Sequence, residues 1–224
     1  MPSRRTPSSR HASTRILGLD PGLNLTGYGC IDAAPCGTPT IVEAGVLRLG
    51  RKSRVTGPST EAATSRDARS ISSRLVELFA DLSEAIERMT PDLVAIEQVF
   101  AHWKHPATGV VMGHARGVML LAVARAGLEL VELRPNEVKK SLTGHGHAGK
   151  GQMQRAIQGV FGLEAPPSPP DVADALAIAL CAANRTRLQG VMGEGPAGTK
   201  PRRPKAKSAR ATSRDLARLL ASVD

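Results

Sequence analysis

Residues 15–31 read RILGLDPGLNLTGYGCI. The apolar run 15–19 has strand composition. Asp20-Pro21-Gly22 stops it, since Pro withdraws a ladder donor and Gly supplies the backbone freedom of a turn. Residues 27–31 (GYGCI) and 40–49 (TIVEAGVLRL) predict two more strands, with Gly37 and Pro39 marking the turn between them. Three strands on such short connections predict an antiparallel meander. Beyond it the pattern alternates. Apolar residues at 75, 78, 79, 82 and 86 predict a helix over 74–89, and 92–96 (DLVAI) a buried strand. A helix over 108–126 follows, then a strand over 128–133 and helices over 136–142, 151–160 and 171–184. A meander followed by alternating helices and strands predicts an α/β mixed sheet flanked by helices. Residues 50–73, rich in Ser, Thr, Gly and Arg, predict a long loop. Gly109, Gly113 and Gly117 stand four apart, a spacing expected here to serve packing inside the fold.

The composition supports a core without aromatic residues. The chain has 224 residues, 41% hydrophobic and 22% charged, which excludes a wholly disordered or collagen-like polymer. Aromatics are only 2%, so Leu, Val, Ile and Ala must fill the interior. The net charge of +10 is unevenly spread. Residues 1–15 carry four arginines and no acid, and residues 185–224 carry ten basic and three acidic residues. The remainder has 16 basic and 17 acidic residues. This predicts a basic flexible arm (1–15), a near-neutral folded body (16–184) and a basic disordered tail (185–224). Such tails favour a polyanion through counterion release. Cys30, Cys36 and Cys181 form no C-x-x-C pair, as expected of packed thiols in a reducing compartment. No run of about 18 apolar residues is present, so no membrane partner is expected. The N-terminus is Arg/Ser-rich and acid-free, as transit peptides are, but a basic arm on a cytoplasmic protein is the simpler reading.

Four acids border strongly apolar segments. Asp20 follows ILGL, Glu97 follows LVAI, and Asp171 and Asp174 open the last predicted helix at a spacing that puts both on one face. Each has an ordinary explanation: a turn residue for Asp20, a solvated strand end for Glu97, an N-cap and a capping-box acid for the pair. Gathered at one sheet edge, however, the four would repel one another, and a hard divalent cation relieves that repulsion. All-oxygen ligands suit Mg²⁺. Carboxylate-held Mg²⁺ beside a polyanion points to phosphoryl transfer, for which two ions about 4 Å apart can deprotonate water and stabilise the leaving oxygen. No GxSxG, P-loop or HExxH supports another chemistry.

Taken in order, GLDPGLNLTGYG, VAIEQVF, HARGV and DVADALAIA resemble the RuvC family of bacterial Holliday-junction resolvases, a resemblance running from about residue 16 to residue 183. It implies an RNase H-like fold: a five-stranded mixed sheet, its first three strands antiparallel, flanked by helices. It places the family's catalytic and Mg²⁺-binding acids on Asp20, Glu97, Asp171 and Asp174, with two ions per active site. It implies a homodimer that nicks two strands of a four-way DNA junction symmetrically, leaving 5′-phosphate and 3′-hydroxyl ends, and works with the RuvA–RuvB branch-migration complex in recombination and repair. It places DNA contacts on Phe100, Lys139 and Lys150. Residues 50–73 and both basic tails are longer than the family pattern, and His102, Trp103, Lys104 and His105 depart from it. The histidine pairs 102/105 and 145/147 have loose metal-like spacing but no Cys partner, and exposed loop positions are expected for them. A sugar-kinase or actin-like ATPase also ends its first strand in an acid–Gly turn, yet needs two such domains. An RNase H-like nuclease processing ribosomal RNA shares Asp-Pro-Gly without this EQVF and DVADALAIA. A junction binder without catalysis gains nothing from concentrated acid beside phosphates.

Overall fold

The computed structural model describes residues 13–50, 71–98 and 106–193. Five strands form one sheet: β1 (Thr14–Asp20), β2 (Leu25–Ala33), β3 (Thr40–Arg48), β4 (Leu93–Glu97) and β5 (Glu129–Leu133). Their order is β3-β2-β1-β4-β5. The β1–β2 and β2–β3 pairs are antiparallel, whereas β1–β4 and β4–β5 are parallel. The meander and the mixed sheet expected from the sequence are both present. So are the helices α1 (Ile71–Met89), α2 (Pro106–Arg125), α3 (Pro135–Thr143), α4 (Lys150–Phe161) and α5 (Pro170–Gly193).

Several boundaries move. The start of α1 at Ile71 takes the last three residues of the expected loop; residues 51–70 lie outside the described chain. β1 begins at Thr14, and Arg15 pairs with Asp32 at 2.8 Å, so that charge belongs to the sheet. Lys150, expected in a loop, is the first residue of α4, where the Gly149 N–H donates to the Gln152 side chain at 2.9 Å and closes the helix entry. The chain groups into Met1–Gly190, which carries the sheet, and Val191–Asp224, of which only the end of α5 is described.

The period-two alternation of the strands sorts the core into two layers. Ile16, Leu93, Ala95 and Leu133 face α3, α4 and α5 in one cluster. Leu17, Leu19, Val94 and Ile96 face α1 and α2 in the other. As the composition required, the largest fully buried side chains are Ile, Leu and Met. The two glycines of greatest consequence lie under α5. A Cβ on Gly18 would sit 2.2 Å from the Ala175 carbonyl oxygen, and one on Gly27 would sit 2.2 Å from that of Asp171. Backbone rests directly on backbone there, which only glycine permits.

Gly113 and Gly117 of α2 differ from the expectation. Gly113 and Gly117 are exposed, and a Cβ on either would meet nothing within 4 Å. Among the described residues nothing packs on them, because α2 turns Ala115, Met119, Ala122 and Val123 towards the sheet and leaves Gly113 and Gly117 outward. Cys30 and Cys181 are buried and Cys36 is exposed, all as free thiols. Among the described residues no helix is long and apolar enough to cross a membrane.

Candidate active site

Two parallel strands deliver the first two acids. Leu19 of β1 lies opposite Ile96 of β4, so one further step along the same register sets Asp20 beside Glu97. Alternation turns both towards the α5 face, with Ile16 and Gly18 preceding Asp20 and Leu93 and Ala95 preceding Glu97. Gly27 pairs with Asp20 across β1–β2, and the start of α5 lies on Gly27 through the backbone of Asp171. The N-terminal turn of α5 is thereby held over the ends of β1 and β4. The turn after Asp20 is fixed by Thr26, fully buried, whose hydroxyl donates to the Gly22 carbonyl at 2.6 Å.

The electrostatics set the four acids in one neighbourhood. Burial pushes Asp20 up to about 8, and the negative charges of Asp174, Glu97 and Asp171 push the same way, while Lys150 opposes them. Glu97 is raised by burial and by Asp174, and lowered by Lys139. Asp174 is raised by burial and by Asp171, and lowered by Lys150 and Lys139. The structure therefore brings together Asp20, Glu97, Asp171, Asp174, Lys139 and Lys150. Lys139 projects from α3 and Lys150 from α4, a pair of helices packed on each other beside α5. Phe100, with His102, Trp103, Lys104 and His105, lies outside the described residues. His145 and His147 are exposed, as expected.

Among the described residues no three acidic, His or Cys side chains stand close enough to enclose a metal ion. The acids are neighbours in electrostatic reach of one another rather than a preformed cage. The charge and donor chemistry nevertheless fit a hard divalent cation: four oxygen donors, each raised or raising another by mutual repulsion, with no thiolate or imidazole among them.

Sequence reasoning missed the residues that assemble this site. Gly18, Gly27 and Thr26 carry no catalytic chemistry, and their signal was only a glycine inside a strand pattern, a mark of close backbone approach. It also missed the cleft lined by Gln98, Arg134, Pro135 and Asn136 at the ends of β4 and β5.

The comparisons with known proteins agree with this geometry. The Rhodopirellula baltica crossover junction endodeoxyribonuclease RuvC is 42% identical over 168 residues, covering 74% of this chain and 84% of that protein. The Moorella thermoacetica protein of the same name is 40% identical over 169 residues, covering 75% of this chain and 90% of its own. The solved structure of Thermus thermophilus RuvC superposes with a TM-score of 0.64 at 27% identity, covering 80% of this chain and 97% of that one. With the family description "Crossover junction endodeoxyribonuclease RuvC" matching residues 16–182, and with the five-stranded mixed sheet in place, the chain belongs to the RuvC family and has its RNase H-like fold.

Proposed function

We propose that this protein is a Mg²⁺-dependent endonuclease that resolves four-way DNA junctions by symmetric paired nicks, leaving 5′-phosphate and 3′-hydroxyl ends, in recombination and DNA repair in the cytoplasm. The observation that carries the reading is the mutual repulsion of Asp20, Glu97, Asp171 and Asp174, drawn from three elements to one sheet edge. Bound there as two ions, Mg²⁺ would supply Lewis-acid activation of water and neutralise charge at the scissile phosphate. The four carboxylates would hold it, and without it they would repel DNA. Lys139 and Lys150 would flank the phosphate, their ammonium groups already acting on the same carboxylates. Phe100 would stack on a junction base.

The proposed assembly is a homodimer, since two equal subunits match a two-fold junction. Its support is a face of α2 on which Val110, Gly113, His114, Gly117, Leu121 and Ala124 are all exposed, Val110 by 59% and Leu121 by 53%. Small residues in the middle of that stripe allow close helix approach. The RuvA–RuvB complex is the proposed partner in branch migration.

Synthetic four-way junctions, incubated with the protein with and without Mg²⁺, provide the test. Paired cuts that need the ion, with linear duplex largely spared, are expected. Asp174→Asn should abolish those cuts and leave junction binding intact; loss of binding would assign the acid a structural role. Deleting residues 201–224 removes seven basic and two acidic residues. Junction affinity should fall and its salt dependence flatten. An unchanged salt slope would show that the tail makes no phosphate contacts.

A further inference from the structure

The cleft beside the acids has a chemistry of its own. It is an open surface cleft of about 510 Å³, lined among the described residues by Gln98, Arg134, Pro135 and Asn136. Both of its strand-end residues lie one position beyond the catalytic edge. Gln98 follows Glu97, and its N–H donates to the Leu133 carbonyl at 2.8 Å, extending the ladder. Arg134 follows Leu133, the residue paired with Glu97. Alternation turns Gln98 and Arg134 away from the α5 face that Glu97 occupies, so acid and cleft lie on opposite sides of one strand end. Gln98 adjoins Glu97 along the chain, so the cleft lies next to the acid that the nuclease reading sets at the scissile phosphate. The crevice beyond the carboxyl ends of parallel strands is the general ligand position in such sheets.

We propose that Gln98, Arg134 and Asn136 form a base-reading subsite for a nucleotide flanking the cut. The proposal rests on the nuclease reading above and adds to it a preference for one base beside the cut. Two features favour a base over a phosphate. Gln98 and Asn136 each offer a donor and an acceptor, and a base edge can use both, whereas a phosphate, which presents acceptors alone, uses only the donors. Arg134 brings a planar fork suited to the O6 and N7 edge of guanine. Pro135 adds an apolar wall for the ring. Among the described residues no side chain holds the guanidinium for another purpose. Arg134 caps α3 through its backbone carbonyl, which accepts from the N–H groups of Glu137 and Val138 at 2.9 and 3.1 Å, with no side-chain cap bond. Among the described residues no acidic side chain pairs with it. Removing the side chain therefore leaves α3 intact.

The experiment measures cutting rates of the full-length protein on junctions in which each base within two positions of the cut is varied singly. Alongside, the fluorescence of 2-aminopurine placed at each position is followed on binding in EDTA, where no cutting occurs. The unaltered protein should discriminate at one position, and both Arg134→Ala and Asn136→Ala should shrink that discrimination by about tenfold while the least favoured junction is cut as before. The fluorescence change at that same position should be lost in Arg134→Ala. Uniform slowing on all junctions, or an unchanged spread, would overturn the subsite and leave the nuclease reading standing. Failure of the unaltered protein to cut any junction would overturn both.

Discussion

Replacing Asp20 by asparagine is expected to abolish junction cutting and to raise the melting temperature of the metal-free protein at pH 8. Both effects come from one carboxyl group. Asp20 is mostly buried beside three other acids, which holds its pKa at about 8, far above the ordinary 3.8. In the unfolded chain it ionises near that ordinary value. Between the two, the folded state binds the proton that the unfolded state has released, so stability falls as pH rises across that window. The slope is roughly 1.4 kcal/mol per pH unit, and the accumulated loss above pH 8 is on the order of a few kcal/mol. Asparagine keeps the shape and cannot ionise, so its melting temperature should be flatter between pH 5 and 8 and higher at the upper end. Mg²⁺ should stabilise the parent more than the variant. At about 100 times its Kd, one bound ion stabilises the parent by about 2.7 kcal/mol, and the variant should lose most of that gain. Cutting should fall by more than about 100-fold, the loss already seen when mere outer-shell partners of a metal site are removed. Melting curves in EDTA and in Mg²⁺ at several pH values, with junction assays alongside, decide it. A variant that melts lower than its parent at pH 8 in EDTA would show that Asp20 is not held under repulsion.

Gly27→Ala should separate the acids without touching any of them. The added Cβ would meet the Asp171 carbonyl oxygen at 2.2 Å and its carbonyl carbon at 2.8 Å, and neither is a flexible side-chain end. The start of α5 must shift, carrying Asp171 and Asp174 away from Asp20 and Glu97. A displacement of about 1 Å at a reacting centre lowers rates by about 100-fold, and overpacking of this kind costs about 1–3 kcal/mol. Gly18→Ala applies the same wedge further along α5, against the Ala175 carbonyl oxygen and the Ala179 nitrogen, so its stability loss should match with a smaller loss of cutting. Gly159→Ala in α4 is the control: a Cβ there meets nothing within 4 Å, and a helical alanine stabilises by up to about 1 kcal/mol. Full activity and an unchanged melting temperature in Gly27→Ala would contradict the seating of α5 described here.

The acids were legible in the sequence for a local reason. Each interrupts or borders an apolar run whose periodicity is otherwise unbroken, and Asp171 and Asp174 share a helix face whatever the helix packs against. The strands and helices were legible for the same reason, and helix ends moved by a few residues because the Gly149–Gln152 cap and the Ile71 turn depend on short-range geometry that composition reports poorly. The lysines were less legible. Nothing local distinguishes Lys139 from Lys140, yet only Lys139 acts on Glu97 and Asp174, because the turn of α3 points it towards α5.

What the amino-acid order by itself determined is therefore what neighbours along the chain can enforce: the meander, the alternation that follows it, the aliphatic core and the identity of the four acids. The tertiary structure alone decided that β4 pairs parallel with β1, bringing Glu97 beside an aspartate 77 positions earlier, and that α5 lies on bare backbone at Gly18 and Gly27. It alone also opened a cleft between Gln98 and Arg134 and left one face of α2 uncovered by the described residues. Those features arise from non-local pairing and close packing, whose energies depend on surfaces meeting across long loops, and no window of sequence contains both surfaces.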